Sequence, residues 1–110
     1  MKSKCDCIIP FYNESLKPLG VIEALLKVKS ISNIIAVDDG SDDDSTYKEL
    51  KTKFHQVISI RLKKNSGKSN AVKKGLEYVK AEYVFLFDGD LTNVISDEIE
   101  NAIKKIINNQ

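Results

Sequence analysis

An α/β fold, with a mainly parallel sheet and helices on both faces, is what this chain predicts, and three observations predict it. Short apolar runs alternate with amphipathic stretches from end to end, each run stops abruptly at polar or turn-forming residues, and no linker or low-complexity tract breaks the alternation. A parallel sheet buried on both faces accounts for the near-continuous apolar runs. Right-handed crossovers then bring every strand-to-helix connection to one edge of that sheet.

Cys5 to Pro10 reads as the first strand, and Phe11-Tyr12-Asn13-Glu14-Ser15 as the loop after it. From about Pro18, the apolar positions Val21, Ile22, Leu25, Leu26 and Val28 recur at helical spacing, with Lys27 and Lys29 placed to offset the negative C-terminal end. Ile34 to Val37 is a second strand, stopped by Asp38-Asp39-Gly40-Ser41. Asp42, Asp43, Asp44 and Ser45 offer N-caps for a helix running to about Lys53. Val57 to Ile60 is a third strand, and Asn65-Ser66-Gly67-Lys68 the loop beyond it. Ala71, Val72, Gly75, Leu76 and Val79 form the inner stripe of the next helix. Tyr83 to Phe87 is the strongest strand signal and ends at Asp88-Gly89-Asp90. A last helix begins near Ser96, its cap, with Asp97 and Glu98 in the first turn, an Ile99, Ile103, Ile106 and Ile107 stripe, and Lys104 and Lys105 toward the end.

The 110 residues fit one domain spanning 1–110, large enough for a core and too short for a second. With 42% hydrophobic and 30% charged residues, the composition is globular rather than disordered. Lys and Arg number 17 against 16 Asp and Glu, so the net charge of +1 gives no field that would argue for nucleic acid as a partner. Cys5 and Cys7 lie two apart on one face of a strand, which suits buried thiols rather than a disulfide or metal pair and fits a reducing cytoplasm. The segment from Met1 to Cys7 lacks the long apolar stretch of an export signal. No apolar run approaches the roughly 20 residues that span a bilayer, so any work at a membrane is expected to be peripheral.

The chemistry gathers where strands end: Asn13 and Glu14 after the first, Asp38 and Asp39 after the second, Asp88 and Asp90 after the fourth. In open α/β sheets ligands bind in the crevice outside the carboxyl ends of the strands, so a carboxylate-rich crevice is expected there. Several acids close together repel, and a divalent cation with a phosphate-bearing ligand relieves that repulsion. Asp88-Gly89-Asp90 is the central signal, because Mg²⁺ or Mn²⁺ takes oxygen ligands and is typically held by one or two carboxylates plus phosphates, and Gly89 allows the backbone to bend.

Cys7-Ile8-Ile9-Pro10-Phe11-Tyr12-Asn13-Glu14, Val37-Asp38-Asp39-Gly40-Ser41, Asn65-Ser66-Gly67-Lys68 and Phe87-Asp88-Gly89-Asp90-Leu91 resemble, in order and spacing, the motifs of family 2 glycosyltransferases. The likeness covers Cys5 to about Leu91 and is greatest to the polyprenyl-phosphate sugar transferases of the dolichol-phosphate mannose and glucose kind. It implies the Rossmann-like nucleotide-binding half of a GT-A fold, a nucleoside-diphosphate sugar donor (UDP- or GDP-linked), Mg²⁺ or Mn²⁺ at a DXD motif, and transfer to polyprenyl phosphate or another acceptor. Carried over by motif, Pro10, Tyr12 and Glu14 line the base pocket and Asp39 accepts from a ring N–H of the base. Asp38 supports the turn, Lys68 lies near the nucleotide and balances phosphate charge, Asp88 faces the ribose or the metal, and Asp90 ligates the metal. In this family the general base and acceptor site follow the DXD motif, so the chain is expected to lack the C-terminal acceptor-binding half and to be inactive by itself. An open sheet edge left in this way would favour a homodimer.

Other classes fit less well. A P-loop needs Gly five positions before Gly67, where Leu62 stands. A receiver domain carries its acid pair after the first strand and a Lys after a fifth, whereas here Asp38-Asp39 follows the second and no fifth remains. A non-catalytic nucleotide-binding module or transferase remnant is the remaining alternative. His55 precedes the third strand, away from the loop-rich edge, and Tyr47, Tyr78, Tyr83, Phe54 and Phe85 are expected to pack rather than bind sugar.

Overall fold

The computed structural model describes residues 5–109; Gln110 and the first four residues, which were read above for an export signal, lie outside them. Four strands, β1 (Cys5–Phe11), β2 (Ile31–Asp38), β3 (Ile58–Arg61) and β4 (Tyr83–Leu86), alternate with α1 (Lys17–Leu25), α2 (Ser45–Lys53), α3 (Lys68–Leu76) and α4 (Ser96–Asn108). The sheet is parallel throughout, in the order β3-β2-β1-β4. The chain winds outward through β2 and β3, then crosses back past β1 to β4, so the order reverses between β1 and β4.

Alternation along β1 assigns its residues to two cores. Cys7, Ile9 and Phe11 pack with Val21, Ile22 and Leu25 of α1, Leu50 of α2 and Ile34 and Ala36 of β2. Ile8 packs on the opposite face with Ile35, Val37 and Ala71 of α3. A third cluster continues the first face downward through Cys5, Val28 and Ile103 of α4. Helices α1, α2 and α4 therefore cover one face and α3 the other, as the α/β reading requires. Gly75 lets α3 lie close, since a Cβ there would meet Ile8 Cγ2 at 2.9 Å and Val37 Cγ2 at 3.3 Å.

Local differences from the sequence reading have physical causes. β2 begins earlier than Ile34 because Ile31 and Asn33 pair with Cys5 and Asp6. α1 stops at Leu25, so Lys27 and Lys29 fall beyond its last turn, and Leu26 and Val28 pack from the connection that follows. The acidic run before α2 does not cap through Asp44, which has no side-chain cap bond and pairs with Lys48 at 3.3 Å; Asp43 Oδ1 accepts from Ser45 N at 2.8 Å instead. β3 runs one residue later than expected, to Arg61, because Arg61 pairs in register with Asp38. Ser96 does not cap α4, since its hydroxyl donates to Ala24 O at 2.7 Å.

Two apolar stripes are narrower than the spacing suggests: Leu76 and Ile106 face outward, as does Tyr78. The largest correction concerns β4. Its apolar run suggests a buried strand, yet among the described residues it pairs only with β1, and Val84 and Leu86 are 37% and 55% exposed on the side away from α1. Cys5 and Cys7 are free, buried thiols, and burial pushes Cys5 up to about 11. His55 is exposed in the turn before β3. Among the described residues no helix is long and apolar enough to cross a membrane.

Candidate functional site

The register sets the ends of three strands level, Phe11 opposite Asp38 and Asp38 opposite Arg61. Beyond them, at the reversal between β1 and β4, lies a cleft of about 420 Å³, a size suited to a small organic ligand. All seven candidate residues line it: Pro10, Tyr12 and Glu14 from the end of β1, Asp39 after β2, Lys68 at the start of α3, and Asp88 and Asp90 after β4. Phe11, Asn65, Gly67 and Gly89 complete the walls.

Asp38 and Asp39 are adjacent but serve different environments. Asp38 is wholly buried, its Oδ1 accepting from Ser41 N at 2.8 Å and its Oδ2 from Arg61 Nη1 at 2.6 Å. Arg61 Nη2 donates to Ser41 O at 2.9 Å, so the turn after β2 is clamped from both sides. This is the turn support expected of Asp38, with a partner the sequence reading did not identify. Asp39 is 3% exposed and opens on the cleft. Its Oδ1 accepts from Ser66 N at 2.9 Å, and its Oδ2 from Asn65 Nδ2 and Gly67 N, each at 3.0 Å. Asn65 Nδ2 also reaches Asp39 O at 3.3 Å.

Gly40 makes this arrangement possible. Its φ is +72°, and a Cβ there would lie 2.3 Å from Lys64 C and 2.4 Å from Asn65 N. The β3–α3 connection thus rests directly on the Gly40 backbone. Opposite, the β1–α1 loop is laced to the β2–α2 loop. Asn13 N donates to Ser41 Oγ at 2.9 Å, Asp42 N donates to Asn13 Oδ1 at 2.9 Å, and Thr46 Oγ1 donates to Ser15 O.

On the β4 side, Lys68 Nζ donates to Asp88 Oδ1 at 2.5 Å, with both side chains more than half exposed. Gly89 is buried, and its reason differs from the bend expected of it. A Cβ would meet Phe11 Cβ at 2.7 Å and Pro18 Cγ at 3.3 Å, so only glycine lets the Asp88-Gly89-Asp90 turn approach β1. Asp88 and Asp90 flank this fixed point, both exposed to the cleft.

The repulsion expected among the acids is largely relieved by the protein itself, through Arg61 on Asp38, three donors on Asp39 and Lys68 on Asp88. Among the described residues no group of three or more His, Cys, Asp or Glu forms a metal cage. Two exposed carboxylates beside a cleft do fit a hard divalent cation that takes its remaining ligands from phosphates and water.

A parallel α/β sheet with acidic and basic loop groups meeting at its reversal point belongs to the open α/β folds, which bind ligands at that point. The comparisons narrow the class. The model of the Glycosyl transferase family 2 matches residues 6–110, and the chain belongs to that family. An uncharacterized glycosyltransferase, YaiP of Escherichia coli, is 35% identical over 91 residues, covering 81% of this chain and 23% of the relative. The undecaprenyl-phosphate 4-deoxy-4-formamido-L-arabinose transferase of Salmonella choleraesuis is 34% identical over 112 residues, covering 93% and 33%. The chain therefore spans about a quarter to a third of the length of these relatives.

Among solved structures, mannosyltransferase PcManGT of Pyrobaculum calidifontis, in complex with GDP-Man and Mn²⁺, superposes with a TM-score of 0.76 at 20% identity, covering 94% of this chain and 32% of that one. S. aureus TarS in complex with UDP-GlcNAc gives 0.70 at 22% identity, covering 94% and 31%. At these identities the likeness establishes the fold, which is that of the GT-A glycosyltransferases.

Proposed function

We propose that the cleft holds a nucleoside-diphosphate sugar, UDP- or GDP-linked, and that Asp88 and Asp90 would hold Mg²⁺ or Mn²⁺ there. The observation that carries this reading is the convergence of all four strand-to-helix connections on one cleft, with an acceptor at one end and exposed carboxylates at the other. Asp39 offers the base a buried acceptor, while Pro10, Tyr12 and Glu14 form the wall beside it. Lys68 holds Asp88 and supplies a mobile positive charge beside the place where phosphates would lie. When bound, the ion would stabilise charge gathering on the diphosphate leaving group. The ligands held by PcManGT and TarS, which share the fold, support a donor of this class and a divalent ion.

The relatives named undecaprenyl-phosphate transferases support polyprenyl phosphate as the acceptor; a cytoplasmic chain that meets it peripherally at the membrane is part of the same proposal. The general base and acceptor groups belong, in this reading, to the part of those longer relatives that the chain does not span. Residues 1–110 by themselves are then expected to bind donor but to transfer no sugar. The open edge of β4, with Val84 and Leu86 exposed, is the surface through which the expected homodimer would form.

Calorimetric titration of UDP and GDP, each with Mn²⁺ and with chelator, tests the reading. Binding of at least one diphosphate in Mn²⁺, lost in chelator, is expected. Equal affinity with and without metal would remove the metal from the site.

A further inference from the structure

The donor reading leaves two bases open, and the surroundings of Asp39 discriminate between them. An ionised carboxylate has about four lone-pair positions, two on each oxygen. In Asp39 three are occupied among the described residues: Asn65 Nδ2 and Gly67 N, each at 3.0 Å, fill Oδ2, and Ser66 N at 2.9 Å takes one position on Oδ1. A single position on Oδ1 remains for a ligand.

Two of those three donors are backbone N–H groups in a connection that cannot withdraw. Lys64 and Asn65 rest on Gly40 so closely that a Cβ there would be 2.3 Å from Lys64 C. The open acceptor count is therefore set mainly by the fold, and among the described residues Asn65 is the one side chain that contributes to it. Because Asp39 is 3% exposed, water gives little compensation for a mismatched donor in this corner.

The bases differ in what they offer. Uracil presents one ring N–H, at N3. Guanine presents N1–H and the N2 amino group side by side, a pair that calls for both oxygens of a carboxylate. Cytosine and adenine place a ring-nitrogen lone pair where uracil has its N–H, which would oppose the carboxylate. One open position satisfies uracil and strands a guanine donor, and sites of this kind reject the mismatched partner strongly. We propose that the site selects a uridine diphosphate sugar, with the Asn65 and Gly67 donors on Oδ2 acting as the element that excludes guanine. The proposal rests on the donor-site reading above.

The test is a calorimetric panel of UDP, GDP, CDP and ADP in Mn²⁺, against the parent chain and Asn65→Ala. The parent is expected to bind UDP at least about tenfold more tightly than GDP, the cost of one unpaired donor. Removing the Asn65 amide frees a position on Oδ2, so the UDP-to-GDP affinity ratio should fall at least about threefold, through tighter GDP binding. A loop that was merely loosened would weaken both nucleotides alike. GDP binding as tightly as UDP to the parent, or an unchanged ratio in Asn65→Ala, would overturn the assignment while leaving the donor site standing. Failure of all four diphosphates to bind would overturn both.

Discussion

Replacing Arg61 by Met should strand the charge of Asp38. The Asp38 carboxylate is wholly buried and has two donors, Ser41 N at 2.8 Å and Arg61 Nη1 at 2.6 Å. Met removes the second donor and the balancing charge, together with the Arg61 bond to Ser41 O at 2.9 Å. Breaking a buried pair costs about 3–5 kcal/mol when one charge is left behind. The Arg61 side chain is 27% exposed, so water can partly take its place, and the expected loss is about 2–3 kcal/mol. In an Asp38→Asn background no charge is stranded, and the same change should cost less than about 1 kcal/mol. Urea unfolding of the four proteins in this cycle measures both numbers. A loss below about 0.5 kcal/mol for Arg61→Met alone, or the same loss in both backgrounds, would show that the clamp carries no energy.

Three further outcomes follow from contacts of the same kind. Gly40→Ala combines a left-handed φ with a methyl group 2.3 Å from Lys64 C, so it should cost about 2–4 kcal/mol in urea unfolding and weaken UDP binding by displacing the donors on Asp39; a neutral substitution would mean that the loop contact is not as close as described. Lys68→Met removes a competing cation from Asp88, so Mn²⁺ alone should bind about two- to fivefold more tightly by titration, the range of an exposed ion pair; unchanged or weaker binding would count against Asp88 as a metal ligand. Glu100 gives a pH signature: burial alone would raise its carboxyl, but the Ser30 hydroxyl and N–H, then Lys104, outweigh it and hold the carboxyl below its ordinary value. A depressed native pKa stabilises the fold above the unfolded value and is lost as pH falls through the native one. The parent should therefore lose stability between about pH 5 and pH 3 more steeply than Glu100→Gln, and parallel urea midpoints across that range would contradict the role of Glu100.

The fold was legible because its main signals are periodic. Apolar runs such as Ile34 to Val37 and the breaks at Asp38 and Asp88 mark where strands stop, and alternation implies a parallel sheet without knowledge of contacts. The gathering of Pro10, Tyr12, Glu14, Asp39, Lys68, Asp88 and Asp90 at one cleft followed from topology, since each lies at the end of a strand, in the connection after it or, for Lys68, at the start of the helix that follows. What sequence could not show depends on partners distant in the chain. Tyr83 to Leu86 has the composition of a central strand, but whether it is central depends on what pairs with its other side. Gly89 looks like a hinge until Phe11 is seen 2.7 Å from where its Cβ would be.

Arg61 and Asn65 show the same limit. Nothing in their local sequence says that one neutralises Asp38 and the other holds Asp39, although an Arg closing a strand beside a paired-acid strand end was a usable hint. Asp6 was missed altogether. It is fully buried and accepts from Asn33 N and Nδ2 at 3.1 Å, Lys80 N at 2.7 Å and Ala81 N at 3.0 Å, joining the starts of β1 and β2 to the approach to β4. Its carboxylate is satisfied entirely by groups of high sequence separation, which no local pattern encodes.

The central claim is that Asp90 and a divalent ion together hold the diphosphate, and electron paramagnetic resonance of Mn²⁺ addresses it most directly. With the parent chain, adding UDP should diminish the free-ion signal well beyond what UDP does without protein, because carboxylates and phosphates complete one coordination shell. With Asp90→Ala the signal should match the protein-free control. An Asp90→Ala chain that sequesters Mn²⁺ with UDP as fully as the parent would contradict the account.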